Sequence, residues 1–277
     1  MANYTIADVK ALREQTGAGM MDVKKALDEA EGDSSRARDI LRVKGLKGVT
    51  KREGRAASNG LVRVQVENNV GTMVEVNCET DFVAKGPKFG ELADEMLAQA
   101  AAVGAVDAEA FLASERDGKT VKEILDEANA AIGEKIEVRR VARVEAADGG
   151  AVVSYLHKTS PDLPAQIGVL VATDGDEQLS RDIAMHVAAF SPTVLTRDEV
   201  DAETVESERR IAEETAREEG KPEAALSRII EGRVNGYFKE NVLLDQAFAK
   251  EPKKSVAQVA KEGGLEIASF VRFKVGV

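Results

Sequence analysis

Along residues 1–45, apolar positions recur at three- and four-residue spacing in three short runs. Val9 and Leu12 lie in "IADVKALREQ" and Met20, Val23 and Leu27 in "GMMDVKKALDEAEG", while "DSSRARDILRVKG" opens on the cap residue Asp33 and closes at Gly45. Gly17, Gly19 and Gly32 separate the runs. The pattern predicts a compact three-helix module, too small to be very stable alone and suited to docking. The stretch that follows, "KGLKGVTKREGRAASNG", mixes basic residues with Gly and Ser and reads as a solvated tether.

From Leu61 the period changes to two. "LVRVQVENNVGTMVEVNCE" predicts a hairpin turning at Asn68, Asn69 and Gly71. "FGELADEMLAQAAAV" aligns Leu92, Met96, Ala100 and Val103 on one helical stripe, a second helix starts at the capping box Thr120 to Glu123, and "KIEVRRVARV" returns to a strand. The order then recurs: "AVVSYLHK" with "QIGVLVATDG", the helix "EQLSRDIAMHVAAF" with Leu179, Ile183 and Val187, then "SVAQVAKEGG" and "LEIASFVRFKV". The expected core is α+β, a pair of related ββααβ subdomains with antiparallel sheets, in which Ile136 corresponds to Ile267 and Val144 to Val275. One piece interrupts the repeat. Between the helices of the second unit, Gly220, Lys221 and Pro222 divide a charged stretch into two helices, the second carrying Leu226, Ile229, Ile230, Val234 and Tyr237, which predicts an inserted antiparallel hairpin. The expected division is 1–54 for the helical module and basic linker, 55–146 for the first subdomain, 147–194 with 237–277 for the second, and 195–236 for the coiled-coil hairpin.

Composition narrows the function. The apolar content of 43% fills real cores, and with aromatics at 4% those cores are aliphatic and helix-rich. A formal charge of -11 argues against a nucleic-acid partner, whose phosphates need clustered Lys and Arg. The single Cys78 leaves no intramolecular disulfide and fits a reducing compartment. The opening "MANYTIADVK" has no signal-length apolar run and no segment approaches a membrane span, so a cytoplasmic protein is expected.

No constellation for catalysis stands out. His157 and His186 fall in different units, Cys78 has no neighbouring His, no phosphate-cradling Gly loop is present, and metal-ligand spacing is absent. The expectation is therefore no enzyme, no metal and no cofactor. His186 reads either as a satisfied structural His or as a contact to a partner. Phe82, in "NCETDFVAKG", poses a sharper question. The parity of Val74, Val76 and Cys78 would carry it inward, whereas "TD" ends a strand and caps a turn. The residues alone leave both readings open.

Together, "LREQTGAGMMDVKKALDEAEGD" with "LRVKG", the loop "NCETDFVAK", the helix "DIAMHVAA", and the late "EGR" with "FVRFKVG" resemble the elongation factor Ts family, over nearly the whole chain. The resemblance implies a ubiquitin-associated (UBA-like) amino-terminal module, two related subdomains and a helical hairpin. It also implies guanine nucleotide exchange on elongation factor Tu carrying GDP, with Thr80, Asp81, Phe82 and Val83 pushing into the partner's G domain and disturbing its Mg²⁺ site. His186, with Met20, is implied near the partner. Two departures limit the carry-over: "HKTSPDLPAQ" is longer than the Gly-rich turn of many members, and some members continue past "FVRFKVG" with a further partner-touching helix, whereas this sequence stops at Val277. The competing reading is a plain adaptor whose helical module binds a ubiquitin-like or peptide partner. Release of GDP from elongation factor Tu separates the two.

Overall fold

The structure is a computed structural model describing residues 3–277. It mixes helices with small antiparallel sheets and is of the α+β class. Three helices open the chain: α1 (Ile6–Thr16), begun by a Thr5–Asp8 capping box, α2 (Met20–Glu29) and α3 (Ser34–Arg52), capped by Asp33. Val9, Leu12, Val23, Leu27, Ala37 and Leu41 close a small core between them. The expected tether does not exist as such, because α3 runs past Gly45 to Arg52. A second helix supports that extension. Arg42 pairs with Glu127 at 2.7 Å, Arg52 donates to the Asn129 carbonyl at 3.0 Å, and Gly45 permits an approach so close that a Cβ there would lie 2.6 Å from Ala130 Cβ.

Next come β1 (Asn59–Glu67) and β2 (Val70–Cys78), joined at Asn68, whose φ of 55° suits the Asn side chain, and then α4 (Asp81–Ala84) and α5 (Pro87–Val103). They are followed by α6 (Ala108–Ala113), a miniature hairpin of β3 (Glu115–Arg116) and β4 (Lys119–Thr120), α7 (Val121–Ile132) and β5 (Ile136–Glu145). The expected Thr120–Glu123 box caps α7. On α5, Leu92, Met96 and Ala100 are buried, but Val103 at its end is exposed.

The second half repeats the order with β6 (Ala151–His157), β7 (Ile167–Asp174) and α8 (Glu177–Phe190), then α9 (Ala202–Glu218) and α10 (Glu223–Asn241). A 3-10 turn at Leu243–Asp245, β8 (Ala247–Phe248), β9 (Glu251–Ser255), α11 (Val256–Glu262) and β10 (Glu266–Lys274) complete it. Helices α9 and α10 lie side by side over Ala212, Ala216, Leu226 and Val234, and the base of the pair is pinned where Leu243 N–H donates to the Val194 carbonyl.

The strand orders β1-β2-β5 and β6-β7-β10 have the same antiparallel connectivity. The sheets face each other across Val62, Met73, Val144, Val152, Leu170 and Phe273, and helices cover their outer faces. One glycine on each central strand makes the close approach possible. A Cβ at Gly71 would lie 2.7 Å from Val152 Cγ1, and one at Gly168 would lie 2.5 Å from Val62 Cγ1. Equating these glycines sets the internal alignment. Val144 pairs with Gly71 and Phe273 with Gly168, while Val138 and Ile267 each stand just before a bulge. The correspondence expected for the last strand is therefore two residues off: Val138 matches Ile267 and Val144 matches Phe273. Alternation makes a two-residue slip invisible in sequence, since both registers keep the same residues inward.

Candidate functional site

Strand β2 ends at Cys78, and the chain then turns sharply enough to reverse the parity that would have buried Phe82. Thr80 caps α4: its hydroxyl oxygen accepts from Val83 N–H at 3.3 Å. The Thr80 hydroxyl and N–H also donate to the two carboxylate oxygens of Glu134, at 2.6 and 3.0 Å. Glu79 is held as firmly: Lys135 N–H and Arg55 donate to its carboxylate, and Asn59 donates to its carbonyl at 2.8 Å. On the inner side, Ala84 is buried and Val83 packs partly buried against the core between the first sheet and its covering helices. Phe82, on the outer side of this one-turn helix, is 83% exposed. Its backbone is fixed on both flanks while its ring lies in solvent.

The charges around it are ordinary and open. Asp81 and Lys85 form an ion pair at 2.8 Å, and that bond holds the Asp81 carboxyl below the usual carboxylate range. Lys135 N–H does the same for Glu79. Beneath α4 the Cys78 thiol donates to the Thr80 carbonyl, and burial pushes its pKa up to about 12, so it is not a nucleophile at neutral pH.

The other residues singled out in the sequence lie apart from this knob. Met20, half-exposed at the start of α2, shares a surface hollow with Lys10, Arg13 and Lys88, the last of these on the first turn of α5. His186 is not a surface group. Its Nε2 is 2.8 Å from Gln246 Oε1, its Nδ1 accepts from Ala249 N–H at 3.2 Å, and burial lowers its pKa. Those two bonds fix a neutral ring carrying its proton on Nε2. The exposed large apolar group on that helix is Phe190, stacked on the imidazole with centroids 4.6 Å apart.

Sequence reasoning missed Glu134 and Phe190. Glu134 was recoverable from the strand pairing, because Cys78 pairs with Ile136 and so brings Thr80 and Glu134, two residues beyond each, face to face. Among the described residues there is no group of three or more His, Cys, Asp or Glu that could hold a metal, and no helix is long and apolar enough to cross a membrane.

The site is thus an apolar ring on a clamped base, above a thiol kept protonated. Similarity to known proteins supplies the kind of protein. A family model described as Elongation factor TS matches residues 79–277. Over the full length of both chains, the sequence is 60% identical to Elongation factor Ts of Pseudarthrobacter chlorophenolicus, 61% to that of Micrococcus luteus and 60% to that of Kineococcus radiotolerans. The chain is thus a translation elongation factor. It belongs to the elongation factor Ts family.

Proposed function

We propose that the chain is a guanine nucleotide exchange factor acting in the cytoplasm on elongation factor Tu carrying GDP. The observation that carries this reading is Phe82, presented to solvent on a backbone fixed by Thr80, Glu134 and the anchored Val83 and Ala84. A backbone held ready gives up little freedom on binding, so the cost set against burial of the ring is mainly that of its own rotamers. Thr80, Asp81, Phe82 and Val83 act as one unit: Thr80 and Val83 hold the turn, Asp81 with Lys85 forms a charged collar, and Phe82 enters the partner's G domain. There it displaces the elements that position Mg²⁺. Because Mg²⁺ neutralises phosphate charge in such GTPases, disturbing it loosens the nucleotide without touching the base. This antagonism between exchange factor and GDP is reciprocal by linkage.

Burying one Phe is worth about 1.5–3 kcal/mol, roughly one to two powers of ten in affinity, so further contacts contribute. Met20 beside Lys88 and the exposed Phe190 are placed for that role, with His186 supporting Phe190 from beneath. In this reading the three amino-terminal helices form a UBA-like module, residues 55–146 and 147–194 with 237–277 form two related subdomains, and 195–236 is an inserted coiled-coil hairpin. Nucleic acid is not a partner, in line with the charge of -11.

The test is release of fluorescent GDP from elongation factor Tu. Phe82→Ala should leave the melting temperature within the small range of a surface change, because nothing in the fold is lost, while exchange slows by at least about tenfold. An adaptor would bind without altering the release rate. A Phe82→Ala variant that exchanges at the parental rate would refute the assignment of the knob.

A further inference from the structure

The internal alignment exposes a site at the far end of the second sheet. With Gly71 and Gly168 equated, Glu67, Arg143 and Glu145 of the first sheet correspond to His157, Arg272 and Lys274 of the second. In the first sheet these positions are satisfied internally: Arg143 pairs with Glu145 at 2.9 Å, and Gln65 donates to Glu67 at 2.7 Å. In the second sheet both acids are replaced by bases. Arg272 and Lys274 then line a cavity of about 370 Å³ between the sheet and the end of α8, with His157 on its rim and, among the described residues, no acid in its lining. Arg272 donates Nε and Nη2 to the Ala188 carbonyl, at 3.3 and 3.2 Å, which leaves Nη1 for another acceptor. Burial, and then the neighbouring Arg140, disfavour its charge, so a bound anion would relieve a cost already present in the fold.

We propose that this cavity is a receptor for a carboxylate side chain of a protein partner, with Arg272 and Lys274 as its cationic contacts. A planar guanidinium beside a flexible ammonium suits a carboxylate. The walls formed by Ile167, Met185 and Ala188 are apolar and fit the methylenes of a glutamate. Two cations on a chain of charge -11 cannot hold a polyanion, whose recognition needs many phosphate contacts.

The test uses the full chain and needs no exchange partner, so its outcome stands apart from the exchange assay. N-acetyl-glutamate amide is titrated against the protein while the backbone NMR signals of Ala189 and Ser191 are followed, with N-acetyl-glutamine amide and inorganic phosphate as separate arms. The glutamate derivative should shift these signals saturably with a Kd of about millimolar order, and the glutamine derivative should bind at least about tenfold more weakly. Lys274→Glu re-creates the Arg143–Glu145 arrangement and should abolish the saturable shift with the fold intact. Arg272→Gln should weaken it at least about tenfold. The proposal is overturned if no saturable shift occurs, if glutamate and glutamine derivatives bind alike, if Lys274→Glu binds as the parent does, or if phosphate binds more tightly at the same signals.

Discussion

The two three-stranded units share a frame and differ in the segments attached to it. After β2 the first unit spends residues 79–86 on the turn that lifts Phe82, whereas after β7 the second passes through 175–176 directly into α8. The second unit instead carries the α9–α10 pair, where the first has only α6. At the sheet–sheet face the units agree closely: Val62, Gly71 and Met73 answer to Val152, Gly168 and Leu170. The helix pattern agrees too. Leu92, Met96, Gln99 and Ala100 share the burial spacing of Leu179, Ile183, His186 and Val187, and in each unit the polar member reaches the miniature hairpin, Gln99 to the Glu115 carbonyl and His186 to Ala249 N–H. Packing tolerates little variation in the frame. The larger departures, the turn after β2 and the α9–α10 pair, lie outside that frame.

The strongest way to break this comparison lies at Glu75, a fully buried acid whose counterpart is Ala172. Arg140, the counterpart of Ser269, pairs with it at 2.6 Å, stacks on Phe273 and donates to the Lys274 carbonyl, while Gly276 N–H also donates to Glu75. Arg140→Ser alone should cost about 3 kcal/mol by leaving the carboxylate without its cation. Adding Glu75→Ala copies the second unit's arrangement and should recover part of that loss. A double variant less stable than the single one in denaturant unfolding would show that the two frames are not interchangeable here. Next in size are the paired glycines. Gly71→Ala and Gly168→Ala should each cost about 1–3 kcal/mol through overpacking of the facing sheet. A cost confined to one of them would contradict the matched packing.

Much of this frame was legible in sequence, because period-two strands and three-four helices that face a single core announce themselves. What escaped had a tertiary cause. The stretch through Gly45 and Gly48 has loop-like composition, and it is helical because α7 lies against it, which no local signal reports. The two-residue strands β3, β4 and β8 are too short to carry a period. Exposure of Phe82 depended on Thr80 being gripped by Glu134, a partner 54 residues away. The motif was visible, and its orientation was not.

That grip can be tested first by the reactivity of the thiol beneath it. Glu134→Ala removes both bonds to Thr80 and should cost about 1 kcal/mol, since the site is exposed to water. The cover over Cys78 then loosens, and the thiol, shielded in the parent with its pKa near 12, should alkylate several-fold faster at neutral pH, with a slower GDP release step in the exchange assay. Unchanged alkylation would mean that Val83 and Ala84 hold the turn by themselves.

The smallest expected effect is a slope. Burial lowers the His186 pKa below its ordinary 6.5, so the folded protein holds a neutral ring while the unfolded chain takes up a proton. Below about pH 6.5 the unfolded state therefore binds more protons, and stability falls as the pH drops toward the folded value; above that window the group contributes no pH dependence. The matching position in the first unit is Gln99, which does not titrate. His186→Gln should lower stability at pH 7, since it disturbs the bonds to Gln246 and Ala249, yet flatten the loss between about pH 7 and 5 relative to the parent. His157, present in both proteins, cancels from the difference. Denaturant unfolding across that range decides it, and parallel curves for parent and variant would mean that the ring is protonated as readily in the fold as outside it.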